Sequence, residues 1–104
     1  MIDFERIVGF DWDVGNARKN EKHGVTQSEA EQIFFDPRLL MVPDPRHSTA
    51  EIRYHALGVT FEQRFLHTTF TLRMDETLIR IVSARDMHRK ERSIYDRKDQ
   101  GSEV

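Results

Sequence analysis

The sequence predicts an α+β domain: two N-terminal helices, a four-stranded mainly antiparallel sheet and a closing C-terminal helix. Three observations support this expectation. Apolar residues recur at helical spacing near the two ends of the chain, the middle carries four short β-patterned runs, and the breaks between those runs are too short for crossover helices. With 104 residues, 38% hydrophobic and 33% charged, the chain suits one small domain. A domain near 100 residues buries roughly two-thirds of its unfolded surface and needs no covalent staple. One domain is expected over residues 1–98, with residues 99–104 as a frayed tail.

Asp13 is placed to cap a first helix running to about Lys22, and Gly24, directly after His23, supplies a left-handed C-cap. Thr26 caps a second helix, in which Ala30, Ile33 and Phe34 form an apolar face and Asp36-Pro37 forms the stop. Leu39–Val42 then reads as a short strand before the turn-rich PDPRHS segment at 43–48. Three more strands follow at Arg53–Val59, Arg64–Arg73 and Leu78–Ser83, with breaks at 60–63 and 74–77 that suit antiparallel hairpins. Ser83 and Asp86 resemble a capping box, opening a final helix to about Arg97.

Composition narrows the function classes. There is no cysteine, hence no disulfide and no thiolate metal site. The N-terminal stretch mixes acids with apolar residues unlike a secretory signal, and no apolar run approaches a membrane span, so a cytoplasmic protein without membrane contact is expected. A net charge of −2 argues against a protein that coats nucleic acid. Its distribution matters more: residues 1–31 hold seven acids and four Lys/Arg, whereas residues 85–98 hold six Lys/Arg and three acids. A local basic face can bind phosphates in a salt-sensitive way.

In the expected final helix, 100° per residue places Met87, Ile94 and the Lys98 stem on one side and Arg85, Arg89 and Arg92 on the other, with Glu91 and Tyr95 at the border. That pattern fits a solvated amphipathic helix. It also fits a phosphate-binding edge, where guanidinium forks match phosphate oxygens and Glu91, beside an apolar stripe, has a raised pKa suited to proton transfer. Strand alternation puts Arg80 on a face with Leu78 and Val82. An arginine so flanked takes either an internal carboxylate, the commoner arrangement, or an RNA phosphate. In 64–73, Leu66, Phe70 and Leu72 share a core face, while His67, Thr69, Thr71 and Arg73 share an open one. Arg53 and His55 share a face of the preceding strand, and strand register decides whether these faces coincide. The five histidines lack paired metal-ligand spacing, so neither a metal site nor a cofactor is expected.

FDWD at 10–13, KHGV at 22–25, the FDP and PDPRHS segments, and IRIVSARDMHRKERSIYD at 79–96 together resemble the BrnT family, in that order over most of the chain. The resemblance implies a RelE-like fold and a ribonuclease that arrests growth by stopping translation. It also implies a BrnA-type antitoxin as partner, in a heterotetramer of two toxins and two antitoxins that contacts operator DNA only through the antitoxin. Nucleases of this kind use no metal: the RNA 2′-hydroxyl attacks the adjacent phosphate with help from a base, an acid and cations. By that resemblance Arg80, Arg85 and Arg53 are the expected phosphate-stabilising groups and Glu91 the proton-transfer group. Lys22, His23, Arg89 and Arg92 are candidate RNA contacts, although His23 equally suits a role in the turn at Gly24. Met87, Ile94 and Tyr95 are candidate antitoxin contacts, offering roughly 1.5–3 kcal/mol for each large side chain fully covered. The rival reading is a diverged, non-catalytic module that binds an antitoxin or RNA through the same edge. A DNA-binding domain is disfavoured, because no helix-turn-helix is evident.

Overall fold

Reciprocal capping fixes the two N-terminal helices in a computed structural model that describes residues 2–47 and 49–101, with side chains through Arg97. Asp13 accepts from the Gly15 and Asn16 N–H groups while the Asn16 side chain accepts from the Asp13 N–H, opening α1 (Val14–Glu21). Gly24 follows with φ +67°, a conformation that favours glycine. Thr26 and Glu29 form a second box that opens α2 (Gln27–Gln32), followed by a 3₁₀ turn at Ile33–Phe35.

The sheet has five strands, not four. β1 (Gly9–Phe10) is only two residues long, too short to show any alternation in sequence. It pairs in parallel with β5 (Leu78–Asp86), whereas β2 (Leu40–Asp44), β3 (Arg53–Val59) and β4 (Phe65–Arg73) continue an antiparallel order β1-β5-β4-β3-β2. The α+β class expected from sequence holds, with a mixed sheet.

The start of the last helix differs from expectation. Ser83 pairs with Thr69 inside β5, and the Met87 N–H still bonds the Phe65 carbonyl, so β5 outlasts the predicted helix start. Helix α3 runs from Arg89 to Gly101. Its opening contact is Glu91 Oε1 accepting from the His88 N–H at 2.8 Å, not a Ser83–Asp86 box. The tail expected from residue 99 is helical in backbone through Gly101, and residues 102–104 lie outside the described residues, as does Ser48 of the PDPRHS turn.

One sheet face carries the core: Ala56, Leu66, Phe70, Ile79, Ile81 and Ala84 meet Val25, Ala30 and Ile33. Gly58 permits this closeness, since a Cβ there would lie 2.9 Å from Ile33 Cβ and 3.1 Å from the Ile33 carbonyl oxygen. Phe34 extends the packing edge-on against Phe70 at 5.0 Å and Phe10 at 5.8 Å. With α2 on that side, the opposite face of the central strands carries Arg53, His55, His67 and Thr71, and α3 packs against its Phe65 end.

Candidate active site

A β-bulge composes the open face. Thr69 pairs with Ser83 and Phe70 with Ile81, which leaves Val82 as an extra residue in β5. Strict alternation would put Arg80 and Arg85, five positions apart, on opposite faces. The extra residue changes the phase, and the register then sets Arg80 opposite Thr71 and Arg85 opposite His67. On the other side of β4, Arg53 pairs with Thr71 and His55 with Thr69. Register thus answers the question that alternation leaves open: Arg53 and His55 of β3 share a face with His67, Thr69, Thr71 and Arg73 of β4.

The face has two stations. Thr71 and His67 are four residues apart, about 13 Å of strand. At the Thr71 end, Lys19, Glu51, Arg53, Arg73 and Arg80 line an open cleft of about 280 Å³. Arg80 Nη1 lies 3.0 Å from Asp13 Oδ2 and 3.4 Å from Asp11 Oδ2, so the internal-carboxylate reading of this arginine holds in the free protein. The hydrogen bond from Arg80 holds the Asp13 carboxyl below the usual range. Arg73 pairs with Glu51 at 3.0 Å.

At the His67 end, Arg85 engages both Glu91 oxygens, at 2.8 and 2.9 Å, and also the Asp86 carbonyl. Burial raises the Glu91 pKa, as the apolar stripe suggested. The Arg85 fork and the His88 amide outweigh it, and the net value falls to about 2. This overturns the expectation of a raised pKa: Glu91 is an ionised carboxylate. Beside it, His67 Nε2 stands 3.9 Å from Glu91 Oε2, and its ring centroid is 4.9 Å from that of His55. Burial, and then the Arg85 charge, push the His67 imidazole down to about 4, so it is neutral at pH 7. His55 is tied at both nitrogens, Nε2 to Asp44 at 2.9 Å and Nδ1 to the Thr69 hydroxyl at 3.1 Å. Leu40, Val42, Leu57 and Ile94 complete a pocket of about 260 Å³ around His55, His67 and Glu91.

Of the residues singled out from sequence, Arg53, Arg80, Arg85 and Glu91 share this face. Arg89 is exposed on α3, while Arg92 lies 3.4 Å over the Phe65 ring and pairs with Asp96. Lys22 and His23 are exposed at the end of α1, but the lysine in the cleft is Lys19, one turn earlier. Met87 and Ile94 are half-buried. Tyr95 is a correction: it is 1% exposed, its ring meets Phe65 edge-on at 5.8 Å, and its hydroxyl donates to buried Asp36. It anchors α3 within the domain and offers no surface to a partner. His67 acquires its setting from register, which no local signal encodes. Among the described residues no cluster of three or more His, Cys, Asp or Glu is arranged to hold a metal ion, and no helix is long and apolar enough to cross a membrane.

A mixed sheet flanked by helices at both ends of the chain is consistent with a RelE-like fold. A family model for the ribonuclease toxin BrnT of type II toxin–antitoxin systems matches residues 12–91, and the chain belongs to that family. No curated protein matches the chain in a sequence comparison.

Proposed function

We propose that the chain is a metal-independent endoribonuclease toxin that cleaves RNA across its open sheet face, stopping translation and growth. The observation that carries this reading is the Val82 bulge, which brings Arg80 and Arg85 onto one face with Arg53 and His67. Cations on a preorganised sheet stabilise charge that grows on a phosphate in the transition state. Arg53 and Arg80 hold RNA phosphate at the cleft, and Arg85, oriented by Glu91, faces the scissile phosphate. Lys22, His23, Arg89 and Arg92 are outlying RNA contacts.

The toxin acts in the cytoplasm and is neutralised by a BrnA-type antitoxin in a two-plus-two complex, with Met87 and Ile94 among its contacts and operator DNA bound only through the antitoxin. A second reading has one specific support: Arg80 and Arg85 both hold internal carboxylates, as they would in a non-catalytic binding module. Cleavage of RNA by the purified chain in EDTA decides between them. Arg85→Ala should lower turnover by about 10²–10³ with the domain folded, and Arg80→Ala should act mainly on KM. Activity per folded molecule unchanged in both variants would refute the ribonuclease site, and normal growth on strong induction would refute the toxin role.

A further inference from the structure

We propose that His67 Nε2 is the general base of this site, accepting the 2′-hydroxyl proton of a nucleotide seated in the pocket formed by β2, β3 and α3. The inference rests on the ribonuclease reading and names the proton acceptor that reading lacks.

Elimination and geometry agree. Glu91 has both oxygens on the Arg85 fork, with a third bond from the His88 amide. His55 uses both ring nitrogens on Asp44 and Thr69. Arginine does not give up its proton in proteins. His67 is different: its Nε2 is beyond hydrogen-bond range of Glu91, at 3.9 Å, and its side chain lines the pocket. The groups facing it are His55 from β3, Arg85 from β5 and Glu91 from α3. Burial and Arg85 hold the imidazole in its neutral form, while the Glu91 charge acts against them and favours its taking up a proton. Glu91 then supplies the countercharge for the imidazolium that forms, so it is a positioning residue. The aliphatic side chains of Leu40, Val42, Leu57 and Ile94 suit the flat face of a base.

The step balances without an external reagent other than water. The 2′-oxygen forms a bond to phosphorus as its proton passes to Nε2, and the phosphorus–O5′ bond breaks. The departing 5′-oxygen takes a proton from water, and the resulting hydroxide recovers the proton from the imidazolium. The products are a 2′,3′-cyclic phosphate and a 5′-hydroxyl. Arg85, paired across the strands with His67, is the cation beside the phosphate.

The test uses the full chain and a single-stranded RNA oligonucleotide over a range of pH. Wild-type kcat/KM should show an acid limb with a midpoint near 4, the value to which burial and Arg85 lower His67 in the unliganded protein. His67→Gln should lose about 10²–10⁴ in kcat together with that limb, and free imidazole should partly restore His67→Ala. A folded His67→Gln that cleaves at the wild-type rate with the wild-type profile overturns the base assignment and leaves the ribonuclease reading standing. A wild-type chain that cleaves no RNA overturns both. One measurement needs no variant: the His67 Cε1–H resonance should shift when a 2′-deoxy oligonucleotide, which cannot be cleaved by this route, is added. A resonance unmoved at saturation overturns the placement.

Discussion

Thr68 sits at the centre of β4, fully buried between Ala56 and Ala84, and its hydroxyl has no hydrogen-bond partner among the described residues. A buried hydroxyl without a partner costs about 1–3 kcal/mol, and valine has nearly the same shape without that cost. Thr68→Val should therefore raise stability by about 1 kcal/mol, read as a rise in Tm of roughly 4–8 °C for a domain of this size. An unchanged or lower Tm would show that the hydroxyl is satisfied in solution. Glu91 poses the second question at this scale. Its charge raises the His67 pKa, opposing burial and Arg85. Glu91→Gln should move the acid limb of kcat/KM to lower pH and reduce kcat, with KM nearly unchanged. A limb that stays in place would mean that Glu91 does not act through His67.

Among the elements, α1 couples capping to the cleft. Asp13 both caps the helix and pairs with Arg80, and Asn16 ties α1 to β5 by donating to the Ile81 carbonyl at 3.0 Å. Asparagine is as good an N-cap as aspartate, so Asp13→Asn should keep α1 while relieving Arg80 of one carboxylate. RNA should then bind several-fold more tightly at low salt, with the gain shrinking as salt rises, and Tm should barely move. Fluorescence anisotropy with labelled RNA measures the first and thermal melting the second. An unchanged Kd would place Arg80 off the RNA path. The Val82 bulge is the other element-scale device, because it sets the phase that puts Arg80 and Arg85 on one face.

For the whole molecule, the shifted groups act together on acid stability. The folded state holds the His67 imidazole at about 4 instead of 6.5. Between those values the unfolded chain binds a proton that the fold refuses, so stability falls as pH drops from about 6.5 to 4. Glu91, lowered from 4.5 to about 2, adds a further loss as pH falls through that lower window. Asp13, Glu29, Asp44 and Asp86 are all lowered and act in the same direction. Denaturant melts should show wild-type stability decreasing on acidification. His67→Gln should decrease less between pH 6.5 and 4 and in parallel with wild type below that. Parallel curves throughout would show that His67 titrates normally in the fold.

The boundaries of α1, the start of α2, the extent of β3 and most of β4 are legible in the chain alone, whereas the helix expected to run to Asp36-Pro37 gives way to a 3₁₀ turn at Ile33–Phe35. Their signals, an Asp13 or Thr26 cap, the glycine at 24 and period-two alternation, act over three or four residues and need no distant partner. The same local reading placed His67, Thr69, Thr71 and Arg73 on one face of a strand. Tertiary pairing decided what that face became. The two residues of β1 form a strand only because β5 lies beside them, and β5 continues to Asp86 because β4 is there to bond it. The Val82 bulge exists only as a mismatch between two strands. Tyr95 was a border residue by helical angle and became a buried anchor once the helix began at Arg89 and Asp36 met its hydroxyl. The apolar stripe beside Glu91 implies desolvation, and burial does act on it, but the Arg85 fork that outweighs desolvation comes from β5 and takes its place through strand register. Period and capping are properties of neighbouring residues along the chain, whereas register, burial and charge state depend on groups that only folding brings within a few ångströms.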